Sequence, residues 1–183
     1  MKFAYEDLSD GQFETLIVLL CRRLLGISVQ VFAKGPDGGR DAKFVGTAEL
    51  YPSKAGPWVG TTIVQAKHTN GYNRNFSESD FFSRSSANTV LGKELPRIRK
   101  LREAKQLDHY MLFANRRLAG NAETEIRDYI ASQCDVPASS ICLECSHRET
   151  SRSVVLRGAG FAFGSAIAAG KTHAVRCEVR GAG

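Results

Sequence analysis

Apolar positions recur along the chain in two periods, and the alternation between them predicts the elements. Phe13, Leu16, Ile17, Leu20 and Leu24 follow a helical period and give one strongly apolar face. Ser9 and Gln12 have capping-box spacing ahead of that face, and Asp10 suits the positive end of the helix dipole. Gly26 closes the helix. Residues 29–33 (VQVFA) are β-branched and aromatic and predict a strand. GPDGG at 35–39 is a tight turn, and residues 40–45 form a second strand, paired with the first as a hairpin. Pro52, Pro57 and the glycines of 46–60 predict a loop anchored by Trp58. Residues 61–68 form a third strand. The adjacent Ile63 and Val64 place it at the centre of the sheet, buried on both faces.

Beyond a polar loop at 69–75, residues 77–107 are expected to be mostly helical, in two pieces. The break falls at 88–92 or at Pro96, which lacks a backbone donor. Ile98, Leu101 and Leu107 point inward, and Arg97, Arg99, Lys100, Arg102 and Lys105 form a basic surface. Residues 109–114 (HYMLFA) predict a strand and 121–133 an amphipathic helix on Ala122, Ile126, Tyr129 and Ile130. Residues 140–145 predict a last short strand. One helix, three strands, then helix, strand, helix, strand implies an α/β sandwich around a mixed sheet. Residues 148–183 are rich in Gly, Ala and Arg with poor periodicity and read as a weakly structured tail beyond a domain of residues 1–147.

Composition changes this picture little. The net charge is +6, which favours an anionic partner. Six basic and two acidic residues fall from Arg148 onward, so the predicted domain is nearly neutral. No signal peptide or membrane span is visible, and five cysteines without a regular framework suggest reduced thiols in a cytoplasm. Cys142 and Cys145 form a CxxC, with His173 and Cys177 further on. Strand alternation sends those two thiols to opposite faces, so inert cysteines are the expectation rather than zinc. GSAIAAGKT at 164–172 imitates a phosphate loop but has Ser165 where the first glycine belongs.

Candidate chemistry concentrates between residues 35 and 69. Asp41 follows the glycine-rich turn, and Gln65 and Lys67 share one face of the third strand, with Ala66 on the other. A carboxylate, an amide oxygen and an ammonium at one end of a small sheet suit a magnesium site that hydrolyses phosphodiesters. Asp41 would supply a carboxylate, Gln65 its side-chain carbonyl and Ala66 its backbone carbonyl. Lys67 would orient the attacking water and neutralise developing charge. The alternative is that Asp41 caps a turn and Gln65 and Lys67 are ordinary strand polars. Glu14, beside the apolar stripe of the first helix, is open between a surface acid and a member of the site. His68 faces away from Lys67 and is read as a packing or phosphate-facing residue.

The succession of Phe13-Glu14 on a helix, a strand, GPDGGRD, a strand and IVQAK resembles the PD-(D/E)xK restriction-endonuclease-like superfamily. It is most similar to the Mrr-like branch, with QAK in place of ExK. The motifs cover residues 5–70, and the later element order agrees to about residue 145. The resemblance implies a restriction-endonuclease-like α-β-β-β-α-β-α-β sandwich and a Mg²⁺- or Mn²⁺-dependent deoxyribonuclease acting on double-stranded DNA, in restriction or anti-phage defence. It implies that Asp41 binds metal, Gln65 replaces the usual glutamate, Lys67 is the catalytic lysine and Glu14 is the helical acid. Asp37 takes the first acidic position. Implied partners are a second copy of the chain or a separate sensor or ATPase protein. Lys43, His68, the 70–74 loop with Arg74, and Arg97 and Lys100 of the basic helix are the candidate DNA contacts.

Overall fold

The computed structural model describes residues 5–32 and 41–145. The 35–39 turn, Asp37 and the 148–183 tail lie outside the described residues.

Helix α1 spans Asp10–Leu25. Its start is fixed by a reciprocal cap. The Ser9 hydroxyl accepts from the Gln12 amide, and the Gln12 side chain accepts from the Ser9 amide at 2.8 Å. It ends where Gly26 turns to φ 126°, a conformation that favours glycine. Strand β1 (Gln30–Val31) is shorter than expected and pairs antiparallel with β2 (Ala42–Ser53). Strand β3 (Gly56–Lys67) returns antiparallel to β2. Then come α2 (Val90–Glu103), β4 (His109–Ala114), α3 (Gly120–Cys134) and β5 (Ile141–Cys145). Among the described residues the five strands form one sheet in the order β1-β2-β3-β4-β5. β2 runs antiparallel to both its neighbours, β1 and β3, whereas β4 and β5 run parallel to β3. The expected α/β class, element order and mixed sheet are all observed, with β3 at the centre.

Alternation along the strands sorts the core into two layers. Val64, Ala66, Ala42, Phe44, Met111 and Phe113 face α1, where Phe13, Ile17, Cys21 and Leu25 cover them. Ile63, Tyr110, Leu112, Ile141 and Leu143 face α2 and α3, against Leu91, Leu95, Ile98, Ile126 and Ile130. Fully burying one such side chain contributes roughly 1.5–3 kcal/mol, so the two layers carry most of the driving force. Two arginines join the helices of the second layer. Arg99 donates to the Gln133 carbonyl and Arg102 to the Asp135 carbonyl, satisfying groups at the C-terminus of α3.

Two expectations are corrected. Residues 46–60 are not a loop but the body of a long β2–β3 hairpin. Gly46 and Gly60 face each other across it, and so do Pro52 and Pro57. The glycines are needed there. Gly60 has φ 122°, and a Cβ on it would lie 2.5 Å from Asp108 Oδ2, the atom that accepts the Thr61 amide at 2.8 Å. Trp58 is buried at the far end, stacked on His109 with ring centroids 4.4 Å apart and edge-on to Tyr51. The second correction is residues 77–89, which form turns rather than a helix. Hydroxyls of Ser83 and Ser86 accept nearby amides and compete with a helical ladder. The helix begins only at the Thr89 cap, whose hydroxyl accepts the Gly92 amide, and it runs through Pro96 without a break. No helix among the described residues is long and apolar enough to cross a membrane.

Candidate active site

The β2–β3 register pairs Ala42 with Val64, so Asp41 stands across from Gln65 and their side chains share the face that α2 covers. The Asp41 backbone is tied on both sides, its amide to the Val64 carbonyl and its carbonyl to the Phe32 amide. Its side chain is tied as well. Oδ2 accepts from Gln65 Nε2 at 2.7 Å and from the Ala66 amide at 2.5 Å. Both donors are neutral. Burial pushes the Asp41 carboxyl up to about 6. The Ala66 amide and the Lys67 charge oppose this rise, and the charges of Glu14 and Glu94 add to it.

Lys67 lies two residues beyond Gln65 on the same face. Its Nζ is 2.7 Å from Oε1 of Glu94, on α2. Arg97, one helical turn along, donates to the same oxygen at 2.8 Å. Glu94 is only 3% exposed and sits in the apolar inner stripe of Leu91, Leu95 and Ile98. The structure thus brings Asp41, Gln65 and Lys67 together as expected, and adds Glu94, which sequence reasoning passed over. Glu14 projects from the second turn of α1, half-buried, and its charge acts on Asp41. The Tyr110 hydroxyl, on the same sheet face, is buried without a hydrogen-bond partner among the described residues. Burial raises it well above the usual tyrosine range, and the charges of Glu94 and Asp41 raise it further.

Among the described residues no three His, Cys, Asp or Glu side chains stand together as a metal cluster. The oxygens that could hold a hard cation are those of Asp41 and the Gln65 amide. Magnesium tolerates such a sparse set because it keeps several waters and binds substrate phosphate. A buried carboxylate with neutral donors and two acids in range is also an environment that a cation relieves. These residues fit a hard divalent ion on that ground. Gln65 presents its NH₂ to Asp41, and its carbonyl would be offered by turning the amide over. Ala66 presents its N–H to Asp41 rather than its carbonyl.

The expected DNA contacts lie in different settings. Lys43 is half-buried, two residues along β2 from Asp41 and on its face. Arg97 and Lys100 are exposed on α2. Arg74 is engaged by Glu78 at 2.9 Å and Asp80 at 2.8 Å. The His68 ring points into the α1 layer. Its nitrogens face Asp10 Oδ1 at 3.0 Å and the Tyr5 carbonyl at 3.2 Å, and the ring packs on Phe13. Cys142 is buried, and burial raises its thiol well above the ordinary range, as suits an inert cysteine. His173 and Cys177 lie outside the described residues.

The loop that follows Lys67 is pinned by a second residue that sequence reasoning passed over. Arg116 is 1% exposed and donates to both carboxylate oxygens of Asp80, at 3.0 and 2.7 Å. It also donates to Thr69 Oγ1 and the Asn75 carbonyl, and its guanidinium lies over the Phe81 ring. Beside it, Asn115 exchanges two 2.8 Å hydrogen bonds with the backbone of Thr69. No family model, no curated protein and no solved structure matches this chain.

Proposed function

We propose that this chain is a divalent-metal-dependent DNA endonuclease of the restriction-endonuclease-like fold and Mrr-like branch, acting in restriction or anti-phage defence. The observation that carries the reading is the shared sheet face of Asp41, Gln65 and Lys67, with the carboxylate hydrogen-bonded to the amide at 2.7 Å. The resemblance of DGGRD and QAK to the nuclease motifs supports the same reading.

Asp41 and Gln65 would hold Mg²⁺ or Mn²⁺ through their oxygens, with Glu14 and the Ala66 carbonyl as further candidates. When bound, the ion supplies Lewis acidity and a more acidic water. Lys67 places an ammonium beside the carboxylate, where it offsets negative charge that develops on a phosphodiester and orients an attacking water. Lys43 on the same face, with Arg97 and Lys100 exposed on α2, suits phosphate oxygens of double-stranded DNA. Binding through them is salt-sensitive and largely independent of sequence. A second copy of the chain, or a separate sensor or ATPase protein, is the proposed source of activation.

The test is cleavage of plasmid DNA with Mg²⁺ or Mn²⁺ by the protein and by Asp41→Ala and Lys67→Ala. Cleavage that both substitutions abolish, with circular dichroism unchanged, is the expected result. A second reading is a non-catalytic nucleic-acid-binding module that retains this fold, and it is favoured by the ion pair that engages Lys67. It predicts salt-dependent DNA binding without cleavage, unchanged by metal or by either substitution.

A further inference from the structure

We propose that Glu94 is a positioning residue for Lys67, held in place by Arg97, and that it fixes the ammonium over the reacting phosphate. The inference rests on the nuclease reading, within which it assigns a residue outside both motifs.

The location of Glu94 is hard to explain by stability. Its helix neighbours on the inner stripe, Leu91, Leu95 and Ile98, are all buried and apolar. A carboxylate among them must be desolvated, and a buried ion pair does not in general stabilise more than a packed hydrophobic residue. Glu94 nevertheless stands in the stripe and aims at Lys67.

The geometry explains what the pair accomplishes. Lys67 carries a four-carbon stem, and at 22% side-chain exposure its ammonium could extend into solvent. Oε1 of Glu94 holds it at 2.7 Å instead. Arg97, 46% exposed, grips the same oxygen at 2.8 Å from the solvent side of α2. With one oxygen between two cations, the carboxylate cannot follow Lys67 outward without leaving Arg97. The ammonium is therefore set by a helix whose inner stripe packs in the core against the sheet. That matters because a charge-stabilising group must be placed within about half an ångström to act on a transition state.

The test compares kcat and KM for plasmid cleavage by the unsubstituted protein, Glu94→Gln and Glu94→Asp, with Lys67→Ala as the inactive baseline. Glu94→Gln keeps an oxygen in place but removes the charge. It is expected to lower kcat by about 10- to 100-fold with KM within about twofold, because the interaction lost acts on the chemical step. Glu94→Asp keeps the charge with a shorter reach and gives an intermediate loss, which separates positioning from mere folding.

A readout free of activity accompanies these. The Lys67 side-chain ¹⁵Nζ resonance should be resolved and slow to exchange in the unsubstituted protein and lost in Glu94→Gln. Wild-type kcat in a folded Glu94→Gln, or an unchanged ¹⁵Nζ signal, overturns the proposal while leaving the nuclease reading intact. Absence of cleavage by the unsubstituted protein, or full activity in Lys67→Ala, overturns the reading beneath it and the proposal with it.

Discussion

Asp41 and Asp80 are both held by side chains from neighbouring elements, and they are opposite in kind. Asp80 receives a fork of two hydrogen bonds from the buried Arg116 and a third from Arg74. Hydrogen bonding from Arg116, against a smaller cost of burial, holds its carboxyl well below the usual carboxylate range. Asp41 receives only neutral donors, and burial raises it to about 6. A carboxylate whose work is structural arrives with its own cations. One that is buried, near other acids and held by amides has the perturbed setting that marks a candidate functional site. The difference separates the part of the molecule that holds the loops from the part proposed to act.

Four substitutions or conditions probe this contrast. The largest expected effect is at Arg116. Arg116→Met leaves the Thr69 hydroxyl and Asn75 carbonyl without their donor and is expected to destabilise by about 3 kcal/mol in urea unfolding. A cost under 1 kcal/mol would show that the pair with Asp80 is incidental. Next is Asp41→Asn in EDTA. The folded-state value near 6 lies above the ordinary 3.8, so the folded chain binds this proton more readily than the unfolded one. The associated stability is complete below about 4 and is lost as pH rises through 6. Asp41→Asn keeps an oxygen for both donors, so it is expected to stabilise the protein at pH 8 by on the order of 2 kcal/mol, fading by pH 4. Equal unfolding curves at pH 8 would sink this account of the site.

Third, Mg²⁺ at tenfold excess over its dissociation constant is expected to stabilise the unsubstituted protein by about 1.4 kcal/mol. Its removal by EDTA should reverse the shift in melting temperature, and Asp41→Asn should show none. The smallest effect is at Arg74, which is partly exposed and supplies only a second cation to Asp80. Arg74→Ala is expected to cost about 0.5 kcal/mol. Its DNA affinity, measured against salt, decides whether this arginine also meets phosphate.

Much of the frame was legible. Ser9, Gln12 and Gly26 marked both ends of α1, and residues 109–114 gave β4 to the residue. The hairpin was not, because Pro52, Pro57, Gly46 and Gly60 are ordinarily loop signals. Each pairs with its like across β2 and β3, and single residues cannot reveal a register. Residues 77–89 misled for the converse reason. Phe76, Phe81 and Phe82 are buried, but they are anchored by turns whose serines satisfy the backbone locally. Glu94 left a usable trace. The spacing of Leu91, Glu94, Leu95 and Ile98 places an acid within an apolar stripe, and that conflict was the signal to follow. Arg116 left none. A loop arginine carries no periodicity, and its burial follows from contacts with Thr69, Asn75 and Asp80, all distant in sequence.

The exchange between Asn115 and Thr69 has a mechanical consequence. Strand ends normally fray, and Lys67 is the last residue of β3. The Asn115 amide offers Thr69 one acceptor and one donor, as a neighbouring peptide group would. It adds a rung beyond the last paired residues of β3 and β4, built from a side chain instead of a strand. Thermal opening from that end must first break this false rung. The tip of the central strand, where Lys67 is mounted, is thereby tied beyond its last paired residue.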